Sequence, residues 1–358
     1  MRSLLLKAWL FALSSITGLA AQQQPTSQDE PIRTLHVYTD LVQVPTLVLG
    51  RNHESISPPI AEQRFSVSID FGPWFRVTHA RMEGTDPISL SILLDTGGAS
   101  ADLLPKIDDA IAALAPSSLS TRDRVSIYAM DCALTRSLND IPAASAQLKL
   151  GVDAALKPWT TRKQDPHSSS CKQSVPLWDS LGFVATELSK LPGRRVLLVI
   201  TDGRDRGSVR TWNEVRSYTQ AAGVAVFGMM NTATTPGWSN ILWAAHHNEA
   251  NALQTICELS GGMLMLTTPD SIGNTLAQSI ALLRGRYIVE FPRPRNSTKG
   301  EHDMRIKIAK AGNDFIRPSG ISVPMPDPAV LADPTTVPSD PSHAPEQGQR
   351  HVMAKPQK

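Results

Sequence analysis

The pattern of apolar and polar positions changes character twice along the chain. From Leu35 to about Met82 short runs alternate with a period of two: LHVYTDLVQVPTLVL, RFSVSID and FRVTHARM. They are rich in β-branched residues and separated by turn-formers such as Gly50-Arg51-Asn52-His53 and Phe71-Gly72-Pro73, which predicts a small antiparallel β unit over 35–86. After Asp86-Pro87 the apolar runs become continuous. ISLSILLD (88–95) reads as a strand buried on both faces, and ADLLPKIDDAIAALA (101–115) as a helix. RVSIYAM, RRVLLVIT, VAVFGMM and MLMLT follow as strands. Between and after them, helical spacing recurs in IPAASAQLKLGVDAAL (141–156), VPLWDSLGFVATELSKL, VRTWNEVRSYTQAAG, ANALQTICELSGG and SIGNTLAQSIALLRG. Such alternation predicts an α/β domain over 87–285, a doubly wound, mostly parallel sheet with helices on both faces. RYIVEFPRP (286–294) and HDMRIKIAKA (302–311) return to the β pattern, so residues 286–323 are expected to rejoin the first unit as a β subdomain built from both flanks.

Both ends fall outside this scheme. Arg2 and Lys7 precede an uncharged stretch, Ala8–Ala21, with small residues before Gln22. A positive start, a short apolar run and a small-residue exit predict a secretory signal over 1–21, and hence an exported chain, periplasmic or extracellular. The apolar run is too short for a span, and no later segment is long and apolar enough, so no membrane span is expected after cleavage. Residues 22–34 read as a flexible leader. From 324 to 358 the chain is Pro-rich, with too few apolar residues for a core, which predicts a disordered tail. Across 358 residues, 35 Lys and Arg balance 33 Asp and Glu, a formal charge of +2. With no basic stripe along any predicted helix, this gives no reason to expect nucleic acid.

Three cysteines suit an oxidising compartment without forming a framework. Cys257 lies in a helical apolar setting and reads as a buried small hydrophobe. Cys132 and Cys171 fall in loops at one end of the sheet and are candidates for a disulfide.

Ligands of open parallel sheets bind beyond the carboxyl ends of strands, where the winding reverses. Two such ends carry acids: Asp95 in LLDTGGAS and Asp202 in LLVITDGRDRG. A hydrophobic strand ending in Asp, a helix, and a later strand ending in Thr-Asp-Gly resemble a von Willebrand factor type A domain. With LVQVPTLVL, VPLWDSL, RYIVEFPRP and DFIRPSGI alongside, residues 35–323 resemble the exported VWFA-related proteins of the acidobacterial type. The resemblance implies a non-enzymatic module that binds a protein ligand, with Mg²⁺ or Mn²⁺ in a metal-ion-dependent adhesion site. That site reads Asp-x-Ser-x-Ser in a first loop, with Thr and Asp from two others. Asp95 and Asp202 are retained, but Gly97, Ala99 and Val175 stand where hydroxyls are required. Ser100 and Ser174 lie one residue from lost positions and are the candidate substitutes. The expectation is a degenerate site that holds an ion weakly or not at all, with recognition resting on Arg204, Arg206 and Trp238 in loops 95–100, 157–176, 202–208 and 229–248.

Other readings weigh less. Asp95-Thr96-Gly97 is similar to the loop of retropepsin-like aspartic proteases, in which Asp activates water beside a second Asp, making an aspartic-type hydrolase the alternative function. There β-strands follow the loop, whereas here helical spacing does. His246 and His247 are adjacent, and on a helix their side chains point about 100° apart, which is poor for one ion. Trp238 and Trp243 read either as packing anchors or as an exposed apolar surface. No phosphate loop follows Gly97-Gly98.

Overall fold

The computed structural model describes residues 41–50, 59–96, 101–165, 176–205, 207–232, 249–294, 301–310, 315–318, 321–322, 346 and 348. The expected signal and leader lie outside these residues. At the centre is a six-stranded sheet of β5 (Ile88–Asp95), β6 (Arg124–Met130), β7 (Leu134–Pro142), β8 (Arg194–Ile200), β9 (Val224–Asn231) and β10 (Leu264–Thr267), in the order β10-β9-β8-β5-β6-β7. All neighbouring pairs are parallel except the edge pair β6–β7. Counted within the sheet, this is the 3-2-1-4-5-6 order of doubly wound folds, and the winding reverses between β5 and β8.

The apolar runs of the sequence explain the layering. On β5, Ile88, Leu90, Ile92 and Leu94 enter one core, shared with α1 (Ile107–Ala112), α3 (Ser145–Gln164) and α7 (Ile272–Arg284). Leu93 points into the other core, against α4 (Leu177–Ser189), α5 (Trp212–Ala221) and α6 (Glu249–Leu259). Between α1 and β6 lies one further short helix, α2 (Leu114–Ser117). A strand covered on both faces has no need of alternating polarity. The mostly parallel sheet with helices on both faces is thus as the pattern predicts.

Two elements depart from the expectation. β7 occupies Leu134–Pro142, where no strand is predicted, and α3 then runs to Gln164 through Pro158, into the segment read as a long polar connection. β7 is an edge strand, half-exposed along most of its length, so it carries no continuous apolar run. The helix survives Pro158 because its last turns are held from outside. Trp159 packs at the rim of the core, and Arg162 forms a two-pronged ion pair with Asp131 in the β6–β7 turn.

The flanking segments form the β subdomain. β1 (Leu41–Leu49) lies between β11 (Tyr287–Pro292) and β14 (Phe315–Pro318), with β4 (His79–Met82) beyond β11. A second sheet joins β13 (Met304–Ile308), β2 (Phe65–Ile69) and β3 (Phe75–Arg76), and β12 (Glu301–His302) pairs with β15 (Ile321–Ser322). Val42, Val44 and Val48 of β1 meet Phe65, Val67, Ile306 and Phe291 in a core of their own. Leu47 and Leu49, on the opposite face of the same strand, pack into the α/β core. One strand therefore serves both cores. Of the tail, Glu346 and Gly348 are described, and the Gly348 N–H donates to Ile69 O at 3.0 Å. A Cβ on Gly348 would fall 1.8 Å from Asp70 O, so this contact accepts glycine alone.

A buried ion pair also joins the two parts. Arg286, immediately before β11, donates from Nη2 to Glu83 Oε1 at 2.8 Å and from Nη1 to Gly261 O at 2.9 Å. Among the described residues, no helix is long and apolar enough to cross a membrane.

Candidate functional site

The winding reversal places the ends of β5 and β8 side by side, and the two acids singled out from the sequence sit there. Asp95 is half-buried, and its Oδ2 accepts the Thr201 hydroxyl at 2.8 Å. The same hydroxyl oxygen accepts the Gly203 N–H at 3.1 Å, and Gly203 has φ +75°. Asp202 is buried, and its Oδ1 accepts the Arg204 N–H at 3.0 Å. Thr96 turns inward, with both its N–H and its hydroxyl donating to Met130 O. The Thr96 and Thr201 hydroxyls are thus committed to internal bonds. Among the described residues, no group of three His, Cys, Asp or Glu could hold a metal ion.

A second pair of acids, which the sequence reading did not single out, organises the loop after β8. Helix α4 begins at Leu177 behind Pro176, which offers no side-chain cap, so its first N–H groups need acceptors from elsewhere. Asp205 supplies one: its Oδ1 accepts from Leu177 N at 2.9 Å and from Trp178 N at 3.3 Å. Ser208 Oγ supplies another, accepting from Trp178 N at 3.0 Å and Asp179 N at 3.2 Å. Asp205 also folds its own loop, taking the Ser208 hydroxyl at 2.6 Å and the Ser208 N–H at 2.9 Å. Helix α4 returns the contact, since Asp179 accepts from Val209 N at 2.9 Å and Arg210 N at 3.0 Å.

The charges follow the geometry. Burial pushes the Asp205 carboxyl upward, but the Ser208 hydroxyl and the N–H groups of Ser208, Trp178 and Leu177 outweigh it, leaving it below the usual aspartate value. Asp179 is lowered in the same way, with the Val209 and Arg210 N–H groups outweighing burial. Both carboxylates stabilise a helix or loop start by accepting several N–H bonds while ionised. Helix α5 then opens with a Thr211–Glu214 capping box, so the loop is tied at both ends. What it shows to solvent is Arg204, Arg210 and Val209, the last 92% exposed.

Of the residues singled out from the sequence, Asp95, Asp202 and Arg204 are therefore brought to the adjacent carboxyl ends of β5 and β8. Gly97, Ala99, Ser100, Ser174, Val175, Arg206, Trp238, Trp243, His246 and His247 lie outside the described residues. So does Cys171. Cys132 is exposed in the β6–β7 turn and is disulfide-bonded. Cys257 is free and fully buried, and burial pushes its thiol up, which makes it inert. A local sign of the Asp205 cap was present in the Asp-x-x-Ser spacing before a helix. Its target, a helix starting 28 residues earlier, has no local sign.

No protein-family model matches the chain, and neither does any curated protein. Among solved structures, a von Willebrand factor type A protein from Catenulispora acidiphila is similar at 9% identity and a TM-score of 0.40, covering 79% of this chain and 74% of its own. Manganese-loaded TRAP protein from Plasmodium vivax is similar at 12% identity and a TM-score of 0.37, covering 67% and 95%. Proximal thread matrix protein 1 from the mussel byssus, with a zinc-occupied adhesion motif, is similar at 12% identity and a TM-score of 0.39 over 56% of this chain. The chain spans about half the length of that last structure, 49%.

Proposed function

We propose that the chain is an exported, non-enzymatic binding module of the von Willebrand factor A kind, which takes a protein partner on the loops at the carboxyl ends of its sheet. The observation that carries this reading is the reciprocal lock between Asp205 and Ser208 on the start of α4 and Asp179 on the following loop. It holds Arg204, Val209 and Arg210 outward on a fixed backbone, and preorganised loops lose less entropy on binding.

Among the described residues, the side-chain oxygens at these strand ends do not make up the set of a directly ligated ion. Mg²⁺ wants about six oxygens near 2.1 Å. Here the Thr96 and Thr201 hydroxyls are spent on Met130 O and Asp95, and Gly97 and Ala99 offer no side-chain oxygen. The reading is therefore contact without a bridging metal. The aspartic-hydrolase alternative gains nothing, because helix α1, not a strand, is the first regular element of more than one turn after Asp95-Thr96-Gly97.

The test uses a photo-crosslinking residue at Val209 in the full chain, with one at Leu150, 63% exposed on α3, as the control. A partner adduct is expected at position 209 and not at 150, with equal yield in Mg²⁺, Mn²⁺ or EDTA. The thermal midpoint should likewise be the same in all three. Equal adducts at both positions sink the surface assignment, and loss of the adduct in EDTA sinks the metal-free reading.

We propose that the bond partner of Cys132 is Cys171, the remaining cysteine once Cys257 is free. The Arg162–Asp131 pair fixes the end of α3 beside the turn that carries Cys132. Non-reducing peptide mapping of the exported chain is expected to give the Cys132 and Cys171 peptides linked. Recovery of an alkylated Cys171 peptide would overturn the pairing.

A further inference from the structure

Away from the sheet ends, the β subdomain carries a face that the binding reading leaves unused. In the β13-β2-β3 sheet the residues alternate, so Met304, Ile306 and Ile308 enter the core while Arg305 and Lys307 stand outward. The register sets Ser68 opposite Arg305, and Ser66 opposite both Lys307 and Arg76. The middle strand thus offers only small serines on this face. Over that low floor the long cations reach neighbouring rings: Arg305 lies 4.2 Å above Phe71, and Lys307 lies 4.2 Å above Trp74. Both rings are themselves solvent-facing, Phe71 at 62% and Trp74 at 42% exposed.

Arg64 extends the row, its Nε donating to Ala309 O at 2.8 Å. Among the described residues, none of Arg64, Arg76, Arg305 and Lys307 is in an ion pair, whereas Arg81, Arg124, Arg162 and Arg284 each meet an acid. Among the described side chains of β13 and the residue before it, the outward acid is Asp303, whose N–H donates to Asp70 Oδ1. Those four cations and Asp303 sum to +3, while the whole chain carries +2. The chain's own Glu346 and Gly348 touch the adjoining turn through backbone atoms.

We propose that this face is a docking site for an extended acidic segment of a protein partner, separate from the sheet-end loops. Arg305 and Lys307 are two residues apart on one strand, about 7 Å, which is the spacing of alternate side chains on an extended peptide. The rings hold the cations in place through cation–π contact, so less side-chain entropy is lost when carboxylates arrive. A peptide is favoured over a single-stranded nucleic acid for two reasons. Base stacking needs free ring faces, and here a face of each ring is taken by a cation. The near-neutral chain also lacks the broad positive field that draws a polyelectrolyte.

The test measures fluorescence anisotropy of a labelled peptide alternating Glu and Thr against the full chain at low salt. A Gln–Thr peptide and oligothymidylate serve as the other probes. The Glu–Thr peptide should bind and the other two should bind more weakly. Arg305→Gln with Lys307→Gln should weaken that binding about tenfold or more without moving the thermal midpoint. Trp74→Leu should weaken it and Trp74→Phe restore it, because the ring positions Lys307. The proposal is overturned if the Glu–Thr peptide does not bind, if the double variant binds it equally, or if oligothymidylate binds more tightly.

Discussion

Glu83→Ala is expected to lower the unfolding free energy by about 3–5 kcal/mol, the usual cost of removing one partner from a buried ion pair. The side chains of Arg286 and Glu83 are 2% and 3% exposed, so neither charge is relieved by water. Burial pulls the Arg286 guanidinium below its ordinary value, and the Glu83 carboxylate opposes that pull. Its Nε already lacks a hydrogen-bond partner, so losing Glu83 leaves a buried cation held by Gly261 O alone. The pair spans the joint between the β subdomain and the α/β domain, since Glu83 follows β4, Arg286 precedes β11 and Gly261 follows α6. A concerted loss of both domains on urea unfolding is therefore expected, at a lower midpoint. Glu83→Leu combined with Arg286→Met should recover most of the loss, because the charge itself is then absent. A single variant within about 1 kcal/mol of the wild type would show that the pair does not bear on the joint.

Much of this architecture is written in local patterns. The continuous run Ile88–Leu94 ending in Asp95 announces a doubly covered strand with an acid at its carboxyl end, and both cores receive its side chains. Likewise β1 and β11 pair as the flanking patterns suggest, Val44 opposite Val289. What stays hidden is decided by contacts distant in sequence. β7 reads as polar because only one edge and one face of it are covered, and α3 outlasts Pro158 because Asp131, 31 residues away, holds Arg162. The candidate site divides in the same manner. Asp95 and Asp202 are legible as strand ends, and Arg204 as their neighbour. Thr201 bonded to Asp95 is not, since its role exists only once β5 and β8 are adjacent.

Asp205→Ala is expected to loosen the whole loop after β8 and to cost about 2–3 kcal/mol, in the range of a lost helix cap combined with a charged hydrogen-bond acceptor. One carboxylate serves Leu177, Trp178, Gly207 and Ser208, so its removal orphans N–H groups on a helix and on a loop together. Asp205→Asn keeps the shape but not the charge, and separates the two contributions by pH. Because the folded-state value of Asp205 lies below the ordinary one, its stabilisation is complete above about pH 4. It is lost as pH falls through the depressed folded value. The wild type should accordingly lose stability more steeply than Asp205→Asn over that acid range, with the other lowered carboxylates, Asp179, Glu187, Glu214 and Asp270, supplying the slope that remains in the variant. Parallel acid profiles would mean that the carboxylate is not the anchor. The same variant bears on binding. If the lock is what presents Val209, then Asp205→Ala should abolish the adduct at position 209 at temperatures where the sheet is still folded. An adduct of undiminished yield would place the recognition surface on loops that Asp205 does not hold.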